Sequence, residues 1–443
     1  MRSLYEELAQ YVPKRLYPFH MPGHKNNTNF LPQTPLMLLD VTELNNTDNL
    51  HDPEDCIKET QNRIATIYGA DQSFLLVNGS TTGIVAAIGS ICEEKTEMIV
   101  ARNCHRSVYN GMVLFGVQPI YFHPDKENKG LKEALAKHPQ AKSVLVTSPT
   151  YEGDVLDIKG IANIVNQHGQ NCVLIVDEAH GAHFPFHTIF PKGALSQGAD
   201  IVVHSFHKTL PAFSQSAAVH VKGNRVNINK LRYYLTCIQT SSPSYLIMST
   251  TDYMLNTLQK NPVYFEEYVE RLLKLRKALA GKLLELPGGD IGKLVLAKPL
   301  LPTASNQGFS CSLDDVHIWA EEHGLAFEMI TNQYILAMTS VADTPQGFSQ
   351  LEKAFSNTQV KELELLTVGS PLPEIVLSPK EAMNIVMDKK IRKAKLSESI
   401  GEVAGSFYAP FPPGIPLLAP GELVTQSIVS YIQDDCEIAV LLL

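Results

Sequence analysis

The sequence lacks the features that mark a secreted, membrane or nucleic-acid-binding protein. No apolar run reaches the roughly 18 residues that suggest a membrane span. The opening Met1-Arg-Ser-Leu-Tyr-Glu-Glu-Leu8 has no apolar signal region. The seven cysteines (56, 92, 104, 172, 237, 311 and 436) are scattered, odd in number and form no Cys-x-x-Cys pair. That argues against a disulfide framework and against a metal centre of the zinc type. Cys92, Cys172 and Cys237 stand in apolar surroundings and are expected in the core. Basic charge is not in excess: 37 Lys and Arg face 46 Asp and Glu, a net −9. A general polyanion binder is thereby disfavoured, while a cationic ligand is tolerated. No internal repeat or low-complexity tract is present, and neither a Walker motif, a GxGxxG turn nor a G-x-S-x-G elbow occurs. The expectation is a cytoplasmic protein with no nucleic-acid or membrane partner.

What is present is a long chain of ordinary globular composition. Its 443 residues are 44% hydrophobic and 19% charged. That length predicts two or three units, or one large α/β domain with an appendage. From about residue 73 to 205, short β-branched runs alternate with amphipathic stretches, which predicts a mostly parallel sheet covered by helices. The expected strands are 73–77, 98–101, 119–122, 143–147, 172–176 and 200–204, followed by 217–221. Expected helices include 1–12, Pro53–Tyr68 capped by Asp52, Ile84–Cys92, 107–116, 157–168 and one long helical region over 246–286. The boundaries read as an arm over 1–30, a large domain with its linking helix over 31–286, a small α/β domain over 287–370 and a C-terminal domain over 371–443. Residues 290–366 show no chemical cluster. The run Gly405–Pro416 is too apolar for a solvated tail and is expected to pack.

Chemistry gathers where strands end. Ile201-Val-Val203 breaks into His204, Ser205, His207 and Lys208. A lysine there tends to lose its proton, since desolvation disfavours the ammonium, and a neutral amine attacks carbonyls. Asp177 follows a wholly apolar strand, and a buried acid needs a cationic partner. Asn78-Gly-Ser-Thr-Thr-Gly83 joins a strand to a helix, an anion cradle of free N–H groups with the hydroxyls of Ser80 and Thr81. His105 sits beyond a further strand end. In open α/β sheets ligands collect at that edge. A phosphate cradle, an imidazole plate, a buried acid and a lysine are the contacts that pyridoxal 5′-phosphate needs. The rigid turn holding His20 and His24, and the acids Glu43, Asp48 and Glu422, are candidates to meet a cationic substrate.

These pieces resemble a known family. Phe19-His-Met-Pro-Gly-His-Lys25, Asn78–Gly83, Arg102-Asn-Cys-His-Arg-Ser107, Asp177-Glu-Ala-His-Gly181, Ser205-Phe-His-Lys208, Thr240-Ser-Ser-Pro-Ser-Tyr245 and Pro412-Pro-Gly-Ile-Pro416 occur in its order over nearly the whole chain. The sequence is similar to the fold-type I, pyridoxal-phosphate-dependent ornithine/lysine/arginine decarboxylases, in their short bacterial form. The resemblance implies an aspartate-aminotransferase-like α/β large domain with a seven-stranded type of sheet, and a smaller α+β C-terminal region. It implies that Lys208 binds the cofactor as a Schiff base with His207 beside it. Ser205, Ser80 and Thr81 would hold the phosphate, His105 would stack on the ring, Asp177 would pair with the pyridine nitrogen, and His180 would lie at the ring edge. It further implies a homodimer with shared active sites, in which the partner's Ser241 and Ser242 add a phosphate contact. Two departures stand out. No counterpart of the long members' extra N-terminal domain is present, so decamers are not expected. Phe411 also replaces an expected Tyr.

The activity implied is decarboxylation of a basic L-amino acid (arginine, lysine or ornithine), with the proton returned by His207 or Lys208. An aminotransferase or aldolase on the same fold stays open. An aminotransferase needs an arginine for a second carboxylate, and Arg271, Arg276 and Arg392 lie in no motif. A catalytically silent cofactor-binding protein is a third reading.

Overall fold

The computed structural model describes residues 14, 16–44, 46–169, 171–302, 309–356, 358–363, 371–409, 414–432 and 436–443. The expected helix at 1–12 and the stretch from Phe411 to Pro413 lie outside the described residues.

After β1 (Tyr17–Phe19) and α1 (Cys56–Tyr68), strand and helix alternate. The series runs β2 (Gln72–Leu76), α2 (Gly79–Ile91), β3 (Glu97–Ala101), α3 (Arg106–Phe115), β4 (Gln118–Phe122), α4 (Lys129–Lys137) and β5 (Ser143–Thr147). It continues through α5 (Ile158–His168), β6 (Val173–Asp177), β7 (Ile201–Ser205), the single turn α6 (Phe206–Thr209) and β8 (Ala217–Val221). These strands form one seven-stranded sheet in the order β2-β8-β7-β6-β5-β3-β4. Only β8 runs antiparallel to its neighbours.

Both faces of the sheet are covered, which is why its strands read as unbroken apolar runs. Leu75, Ile99, Val144, Val146, Leu174, Val176 and Val202 point into one core. Leu76, Met98, Val100, Leu145, Ile175, Ile201 and Val203 point into the other. On that second face α2 buries Ile84, Val85 and Ile88, each worth about 1.5–3 kcal/mol. It approaches so closely that a Cβ on Gly83 would lie 2.8 Å from Val203 Cγ1.

Several local expectations change. The crossover from β6 to β7 contains two 3-10 turns, Phe184–Phe186 and Ala194–Gln197, in place of the helix that strict alternation would supply. Helix α2 begins at Gly79, so Ser80 and Thr81 lie inside its first turn. Helix α1 begins at Cys56, and its cap is not Asp52. The carboxylate of Asp48 instead accepts from the N–H groups of Glu54, Asp55 and Ile57 at 2.9–3.0 Å and of Lys58 at 3.3 Å.

The expected long helical region is three helices, starting earlier: α7 (Ile228–Ile238), α8 (Tyr245–Lys260) and α9 (Val263–Ala278). Pro262 separates the last two, because it lacks an N–H and crowds the residue before it out of helical geometry. On α7, Leu231 and Leu235 face the core. Cys237 lies half a turn further and is exposed, contrary to expectation, whereas Cys92 and Cys172 are buried.

The remainder forms smaller sheets. β9 (Lys293–Ala297) opens this part, followed by β10 (Leu301–Pro302), β11 (Phe309–Ser310) and α10 (Leu313–Glu322). Next come β12 (Leu325–Phe327), β13 (Met329–Ile330), β14 (Tyr334–Met338) and α11 (Pro345–Ser356). Strands β13, β14 and β9 make an antiparallel sheet, and β12 pairs with β1 in parallel. Last are α12 (Pro379–Met387), β15 (Ile391–Lys395), α13 (Gln426–Ile432) and β16 (Glu437–Leu441). A capping box of Ser378 and Glu381 starts α12.

The arm ties these parts together. Lys25 is buried and its Nζ donates to the carbonyls of His20 at 2.9 Å and Met338 at 2.7 Å. The N–H of Gly23 donates to the carbonyl of His207 at 2.7 Å. A Cβ on Gly23 would lie 2.7 Å from the Leu210 carbonyl oxygen, so only glycine fits against this turn.

Candidate active site

The carboxyl ends of the parallel strands open onto a cavity of ≈ 400 Å³. Its lining includes Ser80, Asn103, His105, Thr147, Asp177, His180 and Lys208 from the large sheet's edge. Met21, Tyr151, Glu328 and Ile415 complete it from the arm, a loop, the small sheet's region and the C-terminal run. Register explains part of the gathering: Thr147 lies opposite Asp177, and Asp177 opposite Val203, two residues short of the end of β7.

Lys208 reaches the cavity from α6, one turn beyond β7. Its amine lies 3.1 Å from His180 Nε2. Desolvation lowers its pKa, while the carboxylates of Asp177 and Glu328 pull the other way. Ser205 is fully buried, and its hydroxyl donates to Ser80 Oγ at 2.7 Å. That pair sits at the N-terminus of α2, where free N–H groups favour an anion. His105 is the N-cap of α3; its Nδ1 accepts the Ser107 N–H at 3.1 Å, which leaves the proton of the neutral ring on Nε2. Burial lowers the His105 pKa, and Asp177 opposes that. Asp177 is buried and accepts the Ala179 N–H at 3.1 Å. No ion pair to Asp177 is formed among the described residues; it shares the cavity wall with Lys208 and His105.

His180 is the hub. Its Nε2 faces Lys208, its Nδ1 lies 2.8 Å from Lys293 Nζ, and Tyr151 meets it edge-on at 4.9 Å between ring centroids. Burial and then the two lysine charges push its pKa well below the usual imidazole range. Across the cavity Glu328 accepts the Met21 N–H at 2.8 Å and the Tyr151 hydroxyl.

Other expected residues do not join this cavity. Glu422 is 2% exposed and bound to Arg102 at 3.0 Å and to the Ala419 N–H at 2.7 Å, so it is no substrate carboxylate. Asp48 does not face a substrate either: both its oxygens are committed to backbone N–H groups just before and within the first turn of α1. Glu43 is exposed, and neither it nor His20 or His24 lines the cavity, although Met21 between the histidines does. His24 accepts the Asn26 N–H at 3.0 Å through its Nδ1. Thr81 is exposed beside Ser80, and Ser241 and Ser242 are exposed ahead of α8. His207 donates from Nδ1 to the Ser216 carbonyl at 3.1 Å, and burial lowers its pKa to about 4. It is therefore neutral at pH 7, with its proton turned to the backbone. Arg271, Arg276 and Arg392 bind Glu267, Glu285 and Glu402, and none lines the cavity.

Glu328, Lys293 and Tyr151 escaped the sequence reading. The first two had a signal. Glu328 is a lone acid inside Leu325-Ala-Phe-Glu-Met-Ile330, and Lys293 opens the fully buried β9. A charge embedded in a buried apolar run is costly without a partner.

The architecture is that of the fold-type I pyridoxal-phosphate enzymes. Lysine decarboxylase A from Pseudomonas aeruginosa superposes with a TM-score of 0.75 at 19% identity, over 99% of this chain and 82% of that one. A structure of SPT with PLP matches with a TM-score of 0.59 at 15% identity, over 77% of this chain and 87% of that one. The sequence narrows the class. The Orn/Lys/Arg decarboxylase major domain matches residues 2–288, and the C-terminal domain of the same family matches 362–440. YaaO of Bacillus subtilis, an uncharacterized protein, is 32% identical over 96% of this chain and 92% of its own length. The arginine decarboxylase of Bacillus anthracis is 27% identical over 98% and 93%. The chain belongs to the Orn/Lys/Arg decarboxylase family and is a decarboxylase.

Proposed function

We propose that the protein decarboxylates a basic L-amino acid with pyridoxal 5′-phosphate, and that it works as a homodimer with shared active sites. The observation that carries this reading is the meeting of Lys208, Asp177, His105 and the Ser80–Ser205 hydroxyl pair around one cavity. The cavity also suits the cofactor in a way independent of family. Asn103 Oδ1 and Thr147 Oγ1 are buried on its wall without a protein hydrogen bond, as expected of groups that meet a polar ring substituent.

Lys208 is the covalent anchor for the cofactor aldehyde. Ser80, Ser205 and the first turn of α2 receive the phosphate, with Thr81 and a partner's Ser241 and Ser242 as further contacts. Asp177 keeps the pyridine nitrogen protonated, and His105 covers one ring face. Pyridoxal phosphate supplies the electron sink for the pair left behind by departing carbon dioxide. Glu328 meets the substrate's distal cation, held in place by Tyr151 and the Met21 N–H. Lys208 returns the proton to Cα after taking one from the substrate ammonium, because His207 is neutral and donates to the backbone. A transaminase reading is weaker, since no arginine among the described residues lines the cavity.

The test is an assay of purified protein with cofactor on arginine, lysine and ornithine, following amine and carbon dioxide. Stoichiometric release of both without a keto acid is expected, and Lys208→Ala should lose turnover and the absorption of lysine-bound cofactor while staying folded. Full activity in that variant would overturn the reading.

A further inference from the structure

Two lysines, Lys293 buried and Lys208 half-buried, share one imidazole. Lys208 Nζ lies 3.1 Å from His180 Nε2, and Lys293 Nζ lies 2.8 Å from His180 Nδ1. A neutral imidazole has one N–H and one lone pair. It can accept from an ammonium on one side only, and on the other side it must donate to an amine lone pair. The unit therefore holds one ammonium and one free amine, and the imidazole tautomer records which lysine is which.

The surroundings decide the assignment. Lys293 is 4% exposed, and the carboxylates of Asp290, Glu328 and Glu152 favour its charge, as does the Tyr151 ring at 5.8 Å. Lys208 has Asp177 and Glu328, and Lys293 is its competitor for the proton. His105 and His207, the other ionisable groups acting on His180, also disfavour a positive imidazole. The shorter contact is the one to Lys293, as charge-assisted bonds are.

We propose that Lys293 is a positioning residue for the decarboxylase reaction: it holds the proton of the two-lysine unit and fixes His180 as the Nε2–H tautomer. Lys208 is thereby left as a free amine at neutral pH. This rests on the reading of Lys208 as the cofactor-anchoring lysine. Its amine nitrogen adds to the cofactor aldehyde carbon and one water leaves, a step that an ammonium cannot begin. Desolvation acts in the same direction on both amines, so burial alone does not select between them, whereas the His180 bridge and the three carboxylates around Lys293 do.

The experiment follows capture of pyridoxal 5′-phosphate by the full-length apoprotein, read as growth of the lysine-bound absorption band between pH 6 and 10. Removing the competing cation in Lys293→Met should send the proton to Lys208. The capture profile then moves to higher pH by about one unit, a tenfold loss at pH 7 with the high-pH rate kept. Lys293→Arg keeps a cation and should follow the wild type. Profiles of Lys293→Met and wild type that coincide would overturn the proposal. Should Lys293→Met not fold, nitrogen-15 histidine spectra of the wild-type apoprotein decide. A protonated Nε2 and a bare Nδ1 on His180 are expected, and the opposite tautomer or an imidazolium sinks the idea. Failure of the underlying reading looks different: no band forms in wild type, or Lys208→Ala still forms it.

Discussion

Glu328 has its carboxylate aimed by two donors, the Met21 N–H and the Tyr151 hydroxyl. Aiming of this kind matters because a loose carboxylate would lose side-chain entropy on binding a cation. Glu328→Gln keeps the shape, removes the charge and turns one acceptor into a donor, which the Tyr151 hydroxyl can accept while Met21 N–H keeps its oxygen. A charge-assisted hydrogen bond contributes about 1.5–3 kcal/mol, so KM for the basic substrate should rise roughly 10- to 150-fold. Steady-state kinetics on the best substrate checks this; an unchanged KM would move the reading of the distal cation elsewhere. Neighbouring side chains teach the same lesson about acids. Glu422 and Asp48 looked equally eligible in sequence, yet one is consumed by a guanidinium and the other by backbone donors.

Strands β7 and β8 carry a second chemistry, on the sheet face opposite Ser205. Glu178 bonds His204 at 2.8 Å, His204 bonds His220 at 2.9 Å, and His220 bonds the Ser73 hydroxyl at 2.8 Å. All four side chains are buried. Burial and then the charge of His183 lower the His204 pKa from 6.5 to about 3. The unfolded imidazole takes up a proton below pH 6.5, whereas the folded one does so only near 3. In that window the unfolded state binds more protons, so stability falls as pH falls. The slope from this one group is up to about 1.4 kcal/mol per pH unit. Urea unfolding between pH 4 and 7 should show a shallower dependence for His204→Gln than for wild type, and equal slopes would exclude this imidazole as the source. The sequence showed His204 only as part of the lysine cluster. Alternation along β7 sends its side chain to the opposite face from Ser205, a distinction that a five-residue buried strand does not reveal by polarity.

The parts of the chain are joined across a buried ion pair. Arg102, at the end of β3, meets Glu422 of the C-terminal region with 1% and 2% of the side chains exposed. Arg102 also donates to the Leu417 carbonyl at 3.1 Å and to the Tyr109 hydroxyl, and stands over the Tyr121 ring at 5.0 Å. Removing one partner strands a charge, so Arg102→Met or Glu422→Leu alone should cost about 3–5 kcal/mol. The double variant should recover most of that loss in denaturant unfolding; additive losses would show that the two side chains act separately. The main sheet was legible in sequence because each of its strands is a short apolar run closed by a polar turn. That Lys208, Asp177 and His105 share one cavity was legible because strand ends are marked positions. The opposite wall was not: Glu328 and Tyr151 reach the cavity, and Lys293 reaches His180, through contacts between distant segments, and a charge in an apolar run marks burial without naming its partner.

The cavity draws on Met21 near one end of the chain and Ile415 near the other. Ribosomes add about 5–20 residues per second, so the last strand of the main sheet emerges on the order of 10–40 s before Ile415 does. The Lys208 amine thus belongs to a pocket whose Ile415 wall is made well after the main sheet. A ligand that needs every wall can stabilise only finished copies, by a factor set by its concentration over its Kd. Supply of such a ligand would then act as a selector among newly made chains, separating those that have reached Ile415 from interrupted ones before any substrate is turned over.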